Sequence, residues 1–117
     1  MTVFQPLTGT AGLDAALEAS HTAPIILFKH SETCGISHMA RESLAAGEVP
    51  AHVHEVTVQR HRALSNEIAQ RLGVRHETPQ VLVVAGGRLT WHTSHAGVSA
   101  ARVARAWHEA ATPLMPA

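Results

Sequence analysis

Two runs without a polar residue, Ile25-Ile26-Leu27-Phe28 and Val81-Leu82-Val83-Val84, constrain this chain more than any other feature. Successive side chains of a strand point to opposite faces, so four apolar residues in a row cannot lie on a sheet with one wet face. Runs of this kind read as strands covered on both sides, and helices packed on the two faces of a sheet supply that cover. Pro24 introduces the first run, and Thr78-Pro79 stands just before the second. A proline has no N–H to give to a ladder, so it belongs at the first residue of a strand or in a turn.

The helical periodicities fall where such a sheet needs them. Leu13, Ala16, Leu17 and Ser20 predict a short amphipathic helix after the Gly9–Gly12 turn region. From Cys34, the residues Ile36, Met39, Ala40 and Leu44 fall at helical spacing, with Thr33 as N-cap and Gly47 near the stop. Val53 to Val58 reads as a second, less buried strand. Leu64, Ile68 and Leu72 are spaced four apart, and Gly73 ends their helix. Gly86-Gly87 marks a hairpin, with Leu89 to His92 as the returning strand. Ala100, Val103, Ala104, Trp107 and Ala111 form the stripe of a last helix capped by Ser99. The order α-β-α-β-α-β-β-α predicts an α/β chain of the thioredoxin-like type: a central four-stranded mixed β-sheet flanked by helices.

Length and composition bound the rest. At 117 residues the chain fits one domain, expected to span 1–117, and 45% hydrophobic against 15% charged residues excludes composition-driven disorder. Nine Lys+Arg offset nine Asp+Glu, which leaves no electrostatic footprint for nucleic acid or an anionic membrane. The first twenty residues lack a signal-peptide pattern, and no apolar stretch approaches the roughly 20 residues of a membrane span. A cytoplasmic monomer is the expectation.

The chemistry centres on Cys34, the single cysteine. It follows the first apolar strand and a polar loop, at the start of a predicted helix. Thiolate is the reactive form of cysteine, and a helix N-terminus favours it. The helix dipole contributes roughly 0.3–1 kcal/mol, whereas amide donors from Ile36 and Ser37, aimed at the sulfur, would add about 1.5–3 kcal/mol. The competing reading is a buried, inert cysteine, since free Cys packs well. Ser31, Glu32, Thr33 and Gly35 are polar or small, and a loop-to-helix junction is usually exposed, which favours a reactive thiol. In Cys34-Gly35-Ile36-Ser37, Ser37 stands where a dithiol enzyme has its resolving cysteine. Its hydroxyl can donate to the sulfur but cannot resolve a disulfide; an ordinary first-turn helix serine is the competing reading. Exchange at Cys34 therefore stops at a mixed disulfide until an outside thiol releases it.

Four blocks resemble a known family. Phe28-Lys29-His30-Ser31-Glu32-Thr33-Cys34-Gly35-Ile36-Ser37 is similar to the F-K-H-S-x-x-C-P-I-S signature of monothiol bacilliredoxins, the YtxJ-like family. His61-Arg62-Ala63-Leu64-Ser65-Asn66 with Ile68-Ala69 resembles its second-helix segment, and Gly73-Val74-Arg75-His76-Glu77-Thr78-Pro79-Gln80-Val81 its G-V-x-H-E-S-P-Q-V segment. Trp91-His92-Thr93-Ser94-His95 resembles its W/Y-H-x-S-H strand end. The blocks run in order from about residue 24 to 98. The resemblance implies a thioredoxin-like fold and a cytoplasmic enzyme in which Cys34 takes bacillithiol from S-thiolated client proteins. It implies no bound cofactor, with bacillithiol as thiol co-substrate, and Pro79 as a cis-proline. Cis is rare among X–Pro bonds, so the residues alone favour a trans strand-start proline.

On this reading Cys34 and Ser37 are the catalytic candidates, and Lys29, Thr33, Gly35, Thr78 and Pro79 the substrate-binding ones. Gly35 replaces the family proline and loosens the first helical turn. It also makes the motif C-G-I-S, close to the C-G-F-S of monothiol glutaredoxins, so an iron–sulfur cluster carrier is the alternative. Lys29 and His30 point to opposite faces by alternation, and Lys29 is favoured to support the thiolate or an anionic co-substrate; solvated loop residues are the plain alternative. Ten histidines raise the question of metal, but the pairs His52/His54 and His92/His95 lack an obvious third ligand, so no metal site is expected. His76-Glu77 either lines the groove before Thr78 or simply packs.

Overall fold

The structure, a computed structural model, describes residues 1–112. Residues 113–117, the end of the span expected to form the domain, lie outside it. In chain order the elements are β1 (Phe4–Pro6), α1 (Thr10–Ala19), β2 (Ile25–His30), α2 (Gly35–Ala46), β3 (Val53–Thr57), α3 (Arg62–Leu72), β4 (Gln80–Ala85), β5 (Arg88–Ser94) and α4 (Ala100–Ala111), with a 3-10 turn at His95–Gly97. The sheet order is β1-β3-β2-β4-β5. β3 runs parallel to both β1 and β2, and β4 is antiparallel to β2 and β5.

The two apolar runs became the central pair. Every residue of β2 is buried, and the run in β4 pairs with it from Ile25↔Val84 to Phe28↔Val81. Alternation sends Ile25, Leu27 and Leu82 to a core closed by Leu13 of α1 and Leu64 and Ile68 of α3. Ile26, Phe28 and Val81 go to the other face, against Leu44 of α2 and Val103 and Trp107 of α4. Each side chain buried in this way contributes about 1.5–3 kcal/mol relative to exposure. The Trp107 indole N–H donates to the Pro24 carbonyl at 2.7 Å, which ties the last helix to the start of β2.

The sheet has five strands where four were expected. β1 has three residues, too few for a periodicity, and is held by its ladder to β3 and by the Arg41 guanidinium 4.0 Å above the Phe4 ring. α2 differs in two details. Its N-cap is Cys34, not Thr33, and its buried stripe is Ser37, Ala40 and Leu44, while Ile36 and Met39 are exposed. Gly73 adopts the left-handed conformation (φ 65°) that ends α3, as its position in the sequence predicted.

Candidate active site

β2 and α2 place the cysteine. β2 ends at His30, four residues turn outward, and α2 begins at Gly35 with Cys34 in extended conformation (φ −106°, ψ 121°) as its N-cap. The thiol is half-buried and unpaired with any other sulfur. Its carbonyl accepts the His38 N–H at 3.1 Å, the first bond of the helix. Ile36 and Ser37 do not serve as donors to it: the cap position carries no side-chain hydrogen bond.

Ser37 is in the first turn, as its spacing required, but its hydroxyl is committed away from the sulfur. It is fully buried, accepts the Ser31 N–H at 2.9 Å, and lies 2.7 Å from His30 Nδ1. The expectation that it donates to the thiol is therefore corrected. The reason is that position 37 faces β2, where two polar groups would otherwise be buried without partners. His30, the less favoured of the two basic residues, is the one on this face. Burial lowers its pKa first, with the neighbouring His38 and Arg41 acting in the same direction and Glu55 and Glu32 opposing. Its ring also meets that of His38 edge-on at 5.2 Å.

Lys29 takes the opposite face and reaches no substrate cleft. It is 0% exposed, and its Nζ donates to the Ser65 carbonyl at 2.9 Å and to His76 Nδ1 at 3.0 Å. The expected role against an anionic co-substrate does not fit an ammonium enclosed beneath α3. Burial lowers its pKa from 10.5 to about 8.

Thr33 is exposed at the outer edge of the loop. Its Oγ1 accepts from Gln59 Nε2 at 3.1 Å. The same amide donates to Ser31 Oγ at 2.6 Å and accepts the Glu32 N–H at 3.2 Å, so one side chain braces three successive loop residues before the thiol. Arg60 adds an exposed ion pair to Glu32 at 3.0 Å, and His38 Nε2 donates to the Glu32 carbonyl at 2.7 Å. Gln59 belongs to no periodic pattern in the sequence, which is why reasoning from the residues passed over it. Gly35 is exposed, and a Cβ built there meets nothing within 4 Å.

Thr78–Pro79 is a cis bond, as the family resemblance implied and the residues alone did not. Gln80 pairs with Lys29, so this dipeptide lies beside the end of β2 from which the thiol loop departs. The Pro79 carbonyl accepts the His95 N–H at 3.0 Å, which holds the 3-10 turn next to it. Between that turn and α2 runs a groove of about 360 Å³ lined by Ile36, Met39, Ala40, Ser43, His95 and Val98, among others. Among the described residues no three His, Cys, Asp or Glu side chains are grouped to hold a metal ion, and no helix is long and apolar enough to cross a membrane.

A partly exposed lone thiol at the N-cap position of a helix, on a loop that leaves β2 where a cis-proline leads into the neighbouring β4, is an arrangement suited to attack on a disulfide. Comparison with known proteins agrees. Residues 5–103 match the family described as monothiol bacilliredoxin BrxC. The chain belongs to the monothiol bacilliredoxin family. Among solved structures it is similar to one described as a candidate oxidoreductase with a thioredoxin fold, with 28% identity, a TM-score of 0.81, and coverage of 89% of this chain and 93% of that one. A single-substitution mutant of thioredoxin from Halobacterium salinarum NRC-1 is 18% identical with a TM-score of 0.71, covering 93% of this chain and 91% of that one. Thioredoxin from Fasciola hepatica is 13% identical with a TM-score of 0.68, covering 94% and 99%. The last two show the fold alone. Bacilliredoxin family and thioredoxin-like fold together give the chain a thiol redox role.

Proposed function

We propose that this bacilliredoxin frees client proteins from bacillithiol by accepting it on Cys34. The Cys34 thiolate attacks the bacillithiol sulfur of the mixed disulfide. A new S–S bond forms between Cys34 and bacillithiol, and the client leaves as a thiolate that takes a proton from solvent. A second low-molecular-weight thiol then attacks the bacillithiol sulfur of the Cys34 adduct; Cys34 leaves as its thiolate, and bacillithiol departs as a disulfide with that second thiol, which is the reductant. The observation that carries this reading is Ser37 at the position of a resolving cysteine in a chain whose only thiol is Cys34.

The roles follow from placement. Cys34 is the nucleophile. Ser37 and His30 fix the floor of the loop, Gln59 and Thr33 its outer wall, and Gly35 begins the helix at an uncrowded position. Thr78 and Pro79 form the edge on which the client lies. The protein works as a monomer in a reducing cytoplasm, where its thiol stays free, and holds no cofactor.

Two clients, one carrying bacillithiol and one carrying glutathione, test the proposal when each is mixed with reduced protein and followed by intact mass. Transfer of the bacillithiol mass to the chain, much faster than that of glutathione, is the expected result. Equal or faster glutathione transfer overturns the assignment of the co-substrate.

A further inference from the structure

Lys29 is a cation sealed inside the protein, without direct contact with the thiol. Among the described residues no carboxylate lies within ion-pair distance of it. Its two partners are the Ser65 carbonyl and His76 Nδ1. An ammonium only donates, so His76 Nδ1 is the acceptor and the ring proton of the neutral imidazole is on Nε2. Ser65 Oγ lies 3.2 Å from the same Nδ1, whose one lone pair is met at shorter range by Lys29 Nζ. Nε2 in turn faces Thr78 Oγ1 at 3.3 Å. A ring that donates there occupies a lone pair of the Thr78 oxygen and leaves the hydroxyl proton free to point elsewhere.

The direction of this wire matters because of where it ends. Thr78 opens the edge beside the thiol loop, through the Lys29↔Gln80 pairing of β2 and β4. We propose that Lys29 and His76 are positioning residues that hold the Thr78 hydroxyl as a hydrogen-bond donor to the disulfide-bearing substrate docked at Cys34. Negative charge moves from the attacking to the leaving sulfur during exchange, and a fixed O–H donor at that edge favours its departure. The inference rests on the thiol-exchange reading above. The charges facing His76 agree with a neutral ring: burial, Lys29 and Arg62 lower its pKa in that order, and Glu77 raises it.

Two measurements test the proposal on the full chain. Long-range proton–nitrogen NMR of the histidine rings reports the tautomer of His76. The Nε2–H form is expected in the wild type, with the preference weakened in Lys29→Met and in Lys29→Leu, neither of which can donate to Nδ1, the second variant guarding against misfolding of the first. An Nδ1–H ring in the wild type overturns the proposal, whatever the enzyme does. The second measurement is the rate of bacillithiol transfer. Thr78→Val should slow it about tenfold, the loss expected for one hydrogen bond to a charged group, while Thr78→Ser stays within about twofold. Lys29→Met should slow the wild type in the same direction but add nothing to Thr78→Val, since the two act through one hydroxyl. Additive losses, or a fast Thr78→Val, overturn the proposal and leave the exchange reading standing; a wild type that does not exchange overturns both.

Discussion

The buried lysine makes a prediction that stability measurements read directly. In the unfolded chain Lys29 holds its proton up to about pH 10.5; in the folded protein, enclosed under α3 with a carbonyl and an imidazole as its only partners, it releases it near 8. Below pH 8 the side chain is charged in both states, and the folded state bears the full cost of enclosing that charge. Between pH 8 and 10.5 the unfolded chain binds more protons than the folded one, so stability rises with pH across this window. The gap, at about 1.4 kcal/mol for each pH unit, amounts to roughly 3 kcal/mol. Lys29→Met removes the titrating group and with it one of the charges that lower the His76 pKa, so the difference is read above pH 8, beyond the imidazole range. Urea unfolding in the presence of reductant, at intervals from pH 7 to 10.5, gives the difference between wild type and variant at each pH. That difference is expected to shift in favour of the wild type by about 2–3 kcal/mol, starting near pH 8. A difference that stays flat within about 0.5 kcal/mol would refute the placement of an enclosed, carboxylate-free ammonium at position 29.

Two further substitutions probe the helix that carries the thiol. Gly35→Pro should stabilise the protein by about 0.4–1 kcal/mol and raise its Tm by a few degrees in thermal unfolding. The site is the first helical position, open to a Cβ, and the preceding Cys34 already has the extended backbone that a following proline requires; a lower Tm contradicts this account of the turn. Ser37→Ala should cost about 1–3 kcal/mol in chemical denaturation, because it strips the Ser31 N–H and His30 Nδ1 of a buried partner. A neutral Ser37→Ala would mean that water or another group satisfies both.

How much of this was legible from the residues depended on periodicity. β2 and β4 followed from unbroken apolar runs, and α4 from a stripe that left only Ala104 out of the buried set. Ala106 took its place there. β1 carried no signal, because a three-residue edge strand is recognised by its partner and not by its own pattern. Cys34 and the Thr78–Pro79 edge were found from motif and position. The polar partners were not: alternation separated Lys29 from His30 correctly, yet which face holds α2 is a tertiary fact, and the preference for Lys29 went to the wrong one. Ser37 likewise reads the same whether its hydroxyl meets a sulfur or a buried histidine. Gln59, His76 and Ser65 join these networks across 11 to 47 residues of sequence, a range over which a single chain without its fold gives no pairing.

The central claim is that exchange runs through Cys34 and stops there. Reduced protein mixed with one equivalent of a bacillithiolated client, free of any small thiol, tests it through the stoichiometry of intact masses. The account predicts one freed client and one bacillithiol adduct per chain, persisting until a thiol is added, and neither with Cys34→Ser. A client freed without an adduct on the chain, or an equal yield from Cys34→Ser, would contradict it.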